Sequence, residues 1–312
     1  MPLSIPARAA ALFALILVAA PAWAQDPVTF KKTVNLVNVL ATVRDRHGRL
    51  IDNLSQDDFI LREDGVPQKI RYFSRETDLP LTIGLLVDTS RSQRGVLSDE
   101  SEASRLFLDQ MLRPGKNQAF VAHFDTQVEI LQGLTSSRSD LAAALNRLAV
   151  PAQVATLLYS AVEDASDHVM HAQQGRKALI MLTDGVAWKD PQTIENAIAS
   201  AQRADTILYS IRFSDRASPA RPLRAAFVAT LKERGKDGLN QMAGQTGGAS
   251  FGVSKEQTIQ DIYRKIEDEL RNQYSIGYTP DRPLPDGKFH RIQLIAKDRH
   301  LTVETRRGYY SQ

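Results

Sequence analysis

The chain has 312 residues, 43% of them apolar and 24% charged, the balance of a globular protein with enough length for one large domain or two modest ones. A formal net charge of +3 with no concentrated basic face argues against dedicated nucleic-acid binding. The absence of cysteine excludes disulfides and thiolate metal sites.

Residues 1–24 read as a secretory signal. Arg8 supplies the positive start, Ala9–Ala20 the apolar run, and Ala22-Trp23-Ala24 the small-x-small pattern before cleavage. The run is short for a bilayer span, which needs about 20 residues. The expectation is an exported chain, periplasmic or extracellular, with no integral membrane segment after cleavage. Residues 25–78 then read as an all-β segment. Strand-like stretches occur at 34–43, 56–64 and 68–73, with turn chemistry at Asp45-Arg46-His47-Gly48 and Asp64-Gly65.

The pattern changes after Leu79-Pro80. Residues 81–87 (LTIGLLV) form a continuous apolar run, as expected of a strand buried on both faces. Helical spacing follows over 98–112 through Ala103, Leu106, Phe107 and Met111. Strands are expected at 119–124, 128–131, 178–183, 206–213 and 249–253, and helices at 138–148, 156–173, from Pro191 to about Arg203, and at 255–272. Between 214 and 238 the sequence reads as a loop carrying Arg216, Arg221, Arg224, Lys232, Arg234 and Lys236, with room for a short helix in its middle. The tail returns to strands at 273–278, 289–296 and 301–306. Strands alternating with helices predict an α/β fold, a doubly wound, mainly parallel sheet with helices on both faces, over 79–272. The segments 25–78 and 273–312 are expected to pack together as a small β-sandwich-like unit.

Directly after the first buried strand stands Asp88-Thr89-Ser90-Arg91-Ser92. Ligands of doubly wound sheets bind at the carboxyl ends of the strands. A carboxylate and two hydroxyls at alternating positions can converge there. Thr183-Asp184-Gly185 puts a second carboxylate at the end of another buried strand, and Thr156 offers a hydroxyl from a third loop. Such hard oxygen donors suit Mg²⁺, Mn²⁺ or Ca²⁺ rather than Zn²⁺. Asp and Ser also cap helices and form turns without any metal. Five donors at one sheet edge exceed what capping requires.

Asp88-x-Ser90-x-Ser92, Thr156 and Asp184-Gly185 together resemble the metal-ion-dependent adhesion site of von Willebrand factor type A domains, over roughly residues 79–270. The flanks are similar to the bacterial secreted, acidobacterial-type subgroup of related proteins, at Asp57-Asp58-Phe59, Glu63-Asp64-Gly65, Tyr274-Ser275-Ile276-Gly277-Tyr278 and Arg307-Gly308-Tyr309. The resemblance implies that Ser90, Ser92 and Thr156 touch the metal, that Asp88 and Asp184 act partly through water, and that an acidic side chain of a partner protein completes the shell. One departure is Val154-Ala155 before Thr156, where the family often carries glycines.

Catalytic patterns are lacking: no Gly-x-Ser-x-Gly elbow, no phosphate-binding glycine loop, no His-Glu-x-x-His. The expected function is therefore a non-enzymatic, metal-dependent protein-binding module for adhesion or assembly. A metal-assisted hydrolase and a metal-free envelope scaffold are the alternatives. His168 and His171 read as a solvated helix face, and His123 as a core or edge histidine. The sequence leaves the oligomeric state open.

Overall fold

A computed structural model describes residues 36–75, 79–113, 115–152, 154–213, 222–281 and 285–311. The signal expected at 1–24 lies outside the described residues. Four strands open this part of the chain: β1 (Val37–Arg44), β2 (Phe59–Glu63), β3 (Val66–Pro67) and β4 (Ile70–Arg75). The α/β region follows as β5 (Leu81–Asp88), α1 (Leu97–Met111), β6 (Asn117–Phe124), β7 (Val128–Thr135), α2 (Arg138–Leu145) and α3 (Leu158–Asp164). It continues as β8 (Arg176–Leu182), α4 (Ile194–Arg203), β9 (Ile207–Arg212), α5 (Pro222–Thr246), β10 (Ser250–Gly252) and α6 (Ile259–Arg271). The closing strands are β11 (Tyr274–Tyr278), β12 (Phe289–Ala296), β13 (Thr302–Thr305) and β14 (Gly308–Tyr310).

The central sheet has six strands in the order β10-β9-β8-β5-β6-β7, parallel except for β7. Every residue of β5 is buried, because β6 and β8 flank it and helices cover both faces. One face packs on α1, α2 and α6 through Phe107, Leu141, Ile262 and Ile266. The other packs on α3, α4 and α5 through Leu158, Val162, Ile198 and Leu239. From β5 the chain winds outward through β6 and β7, then crosses to β8 on the other side. The crevice at this change of direction lies at the carboxyl ends of β5 and β8.

Two antiparallel four-stranded sheets, β13-β1-β11-β4 and β14-β12-β2-β3, share a second core. N-terminal and C-terminal strands alternate within them: β1 lies between β11 and β13, and β12 pairs with β2. The alternating β12 sequence FHRIQLIA buries His290, Ile292, Leu294 and Ala296 on one face, as a one-sided strand should. The rings of Phe59, Phe73 and Tyr274 cluster with centroids 5.4–5.7 Å apart. This is the sandwich-like unit expected from the terminal segments.

Several expectations need correction. The presumed basic loop is helical from Pro222, and α5 runs 25 residues to Thr246. Glycine is unfavourable inside a helix, but Gly235 is where α5 presses on the turn after β8. A Cβ at Gly235 would stand 2.7 Å from the Gly185 carbonyl carbon, so tertiary packing overrides propensity there. The helix expected from Pro191 begins only at Ile194, capped by the Thr193 hydroxyl accepting from the Asn196 N–H. The helix at 156–173 becomes α3 followed by a π-helical stretch over Ala165–Met170. Leu106 is 39% exposed, and Ser104 and Leu108 take its place in the buried stripe of α1.

Candidate metal centre

Asp88 ends β5 with its side chain fully buried. One carboxylate oxygen accepts the Ser90 N–H at 2.9 Å, which folds the chain sharply out of the strand. The other accepts the Thr183 hydroxyl at 2.6 Å, which joins the ends of β5 and β8. A tight turn at Arg91–Gln93 then brings the Ser90 and Ser92 hydroxyl oxygens to 3.1 Å from each other. Thr89 points the other way, donating to Asp125 at 2.6 Å and lying 2.9 Å from His123 Nδ1.

Asp184 follows Thr183 and accepts the Val186 N–H at 3.0 Å. Gly185 has φ +83°, and a Cβ there would meet the Gly235 carbonyl oxygen at 2.7 Å. Only glycine suits both the left-handed backbone and the close approach of α5. The same loop holds Thr156. The Thr156 and Trp188 backbones exchange two hydrogen bonds, at 2.9 and 3.1 Å. Asp190 fixes the loop to the start of α3 by accepting from Tyr159 N–H (2.7 Å) and the Ser160 hydroxyl (2.6 Å).

Asp88, Ser90 and Ser92 therefore share one hydrogen-bonded loop, and Thr183 carries Asp184 to the same edge. Thr156 is buried beside that loop, but its hydroxyl shares no hydrogen bond with the other four among the described residues.

The electrostatics are unusual for a site of this size. Burial pushes the Asp88 carboxyl up to about 7 against the hydrogen bonds from Ser90 and Thr183, and the charge of Asp184 adds to the rise. Glu100, in the first turn of α1, is pushed up to about 9 by burial and by repulsion from Asp88, Asp184 and Asp99. No lysine or arginine among the described residues forms an ion pair with either group. Both Glu100 carboxylate oxygens and the Gln93 side-chain oxygen are buried without a hydrogen-bond partner. An oxygen-only donor set with buried carboxyls whose charged forms lack compensation fits a hard divalent cation.

Sequence reasoning did not single out Glu100, Gln93, Asp125 or Asp190 as part of this region. Glu100 was detectable. It lies in phase with Ala103, Phe107 and Met111 on the buried stripe of α1, where a charged residue is out of place. Asp125 was not detectable, because its role is set by the register of β6 against the loop. Burial opposes its ionisation, but hydrogen bonds from Thr89 and Thr126 hold its carboxyl below the usual range.

A second group of potential ligands, Glu63, Asp64 and His290, lies in the sandwich within 4.8 Å of one another. Its donors serve each other and the fold. Glu63 accepts the hydroxyls of Tyr278 and Tyr309. Both His290 nitrogens face carboxylates, Asp64 at 2.8 Å and Asp286 at 3.0 Å, so neither is left for an ion. His168 is solvent-exposed, 3.7 Å from Asp164.

A doubly wound sheet with its crevice at the switch between β5 and β8 defines a Rossmann-like α/β binding domain. The sequence profile of the von Willebrand factor type A domain matches residues 82–265, and the chain belongs to that family. No curated protein sequence matches the chain. Among solved structures it is similar to proximal thread matrix protein 1 from the mussel byssus, in a form with a zinc-occupied MIDAS motif. That match has a TM-score of 0.51 and 15% identity and covers 68% of this chain and 50% of the other. A von Willebrand factor type A structure from Catenulispora acidiphila matches with TM-score 0.49 and 15% identity, over 79% of this chain and 71% of the other. The chain thus spans about half the length of the mussel protein, and identity at this level speaks to the fold alone. Among the described residues no helix is long and apolar enough to cross a membrane.

Proposed function

We propose that this chain is an exported, non-catalytic binding module whose Asp88, Ser90, Ser92, Thr156 and Asp184 hold one divalent cation, and that an acidic side chain of a partner protein binds there. The observation that carries the reading is the set of buried carboxylates at the ends of β5 and β8. They stand beside two adjacent hydroxyls, and no lysine or arginine among the described residues forms an ion pair with Asp88. A bound cation would supply the missing positive charge and an acceptor position for an external carboxylate. The chain's own residues do the rest. The Ser90 N–H and Thr183 hydroxyl aim the Asp88 carboxylate, the Thr156–Trp188 bridge sets the third loop, and Gly185 lets α5 close against it.

Zinc occupies the motif of the mussel protein. The donors here are carboxylates and hydroxyls, which favour Mg²⁺ or Mn²⁺, with Ca²⁺ next. Val154 and Trp188 are exposed on either side of Thr156 and offer apolar contact to whatever reaches the ion. Export rests on the signal pattern at 1–24. Affinity capture from envelope extract tests the reading. The partner is expected to be retained in Mg²⁺, released by chelator and absent with Asp184→Ala. Equal capture by Asp184→Ala would overturn it, and turnover of a phosphoester or peptide abolished by Asp88→Ala would move the chain to the hydrolases.

A further inference from the structure

A glutamate with no exposed surface and no partner for either oxygen is rare in a folded protein, because burying a carboxyl is unfavourable unless something compensates it. The other buried acids of this chain show the usual compensation: Glu63 has two tyrosine hydroxyls, Glu269 has Arg44, and Asp125 has Thr89. Glu100 has none of these. A leucine or methionine of similar volume would fill its place on α1 without that penalty.

Its position relative to the metal loop is rigidly set. The Gln93 N–H donates to the Ser90 carbonyl at 2.9 Å, the Val96 N–H to Gln93 at 3.0 Å, and the Glu100 N–H to Val96 at 3.0 Å. This relay of turns makes the Asp-x-Ser-x-Ser loop and the first turn of α1 one unit. The Glu100 carboxyl lies within electrostatic reach of both Asp88 and Asp184. The Gln93 side chain, also buried, lies 3.4 Å from the Ser92 hydroxyl through its nitrogen and leaves its oxygen unpartnered. Two unsatisfied oxygen-bearing side chains thus accompany the same loop.

We propose, resting on the metal reading above, that Glu100 is a further carboxylate of the cation's outer shell, reaching it through bound water, with the Gln93 side-chain oxygen as its neighbour in that shell. The chain then supplies three carboxylates of its own. The ion is held more tightly in the resting state than by the five loop residues alone, and α1 is tied to its occupancy.

The test compares the wild-type chain, Glu100→Gln and Asp88→Ala by Mn²⁺ titration calorimetry and by melting temperature in chelator and in Mn²⁺. Glu100→Gln is expected to bind Mn²⁺ roughly tenfold more weakly or worse. It should melt higher than wild type in chelator, because an uncompensated carboxyl is gone, yet gain less on adding Mn²⁺. A merely structural role would move the melting temperature in chelator and leave the Mn²⁺ affinity alone, and that result would overturn the proposal. Should Glu100→Gln not fold, Glu100→Met is read by the same criteria. Loss of Mn²⁺ binding in Asp88→Ala with unchanged binding in Glu100→Gln sinks only the Glu100 assignment. A wild-type chain that binds no Mn²⁺ sinks the metal reading with it.

Discussion

Among the described residues, the acidic cluster of the sandwich and the acidic cluster at the edge of the central sheet are built in opposite ways. In the sandwich, Glu63 receives two tyrosine hydroxyls, and His290 sits between Asp64 and Asp286. At the edge of the central sheet, Asp88 receives a hydroxyl and an amide, and Glu100 receives nothing. The first cluster is compensated from within the fold and reads as structure. In the second, burial raises the Asp88 and Glu100 carboxyls with little compensation among the described residues, and the proposed cation site rests on that contrast. Residue type alone does not separate the two, and the partners do.

The largest effect expected is at the sheet edge. Asp184→Ala should reduce partner capture to background while the circular dichroism spectrum keeps its native shape. In the sandwich, Glu63→Ala should leave the Tyr278 and Tyr309 hydroxyls without their shared acceptor and cost about 3 kcal/mol in urea unfolding. Its Mn²⁺ affinity should stay that of the wild type, and a parallel loss of affinity would erase the contrast between the clusters.

The pH dependence follows from the raised carboxyls. Asp88, moved from 3.8 to about 7, and Glu100, moved from 4.5 to about 9, bind protons more readily in the folded chain than in the unfolded one. The stability they confer is full below their ordinary range and is lost as pH rises through about 7 and about 9. Metal-free protein should therefore melt progressively lower from mildly acidic to alkaline pH, and added Mn²⁺ should flatten that fall. A metal-free melting temperature that climbs over this range would contradict the electrostatic account.

Smaller effects sharpen the site. Thr183→Val removes the hydroxyl that aims Asp88 and should weaken Mn²⁺ binding about tenfold. Trp188→Ala removes exposed apolar surface while keeping the backbone bridge to Thr156, so partner capture should weaken and Mn²⁺ affinity should hold.

Much of this was legible in the sequence, for reasons that can be stated residue by residue. The run 81–87 gave away a central parallel strand because burial on both faces removes alternation. Asp88, Ser90, Ser92 and Asp184 could be placed at one edge of the sheet because each follows a continuous apolar run that marks a buried strand. The helix α5 is not legible from its spread of basic residues, and the close packing of Gly235 on the turn after β8 is known only from the fold. Glu100 is legible only when the buried stripe of α1 is extended one turn towards its start, where a charged residue is not expected. The pairing of Glu63 with Tyr278 and Tyr309 joins residues 215 and 246 positions apart. Nothing local marks such a contact before the sandwich is assembled.

The most direct test of the central claim is calorimetric titration of Mn²⁺ into the metal-free chain beside Asp88→Ala. One ion bound per wild-type chain and none by Asp88→Ala is the expected result. No heat of binding in the wild type, or the same binding isotherm in Asp88→Ala, would contradict the assignment of the sheet edge as a metal centre.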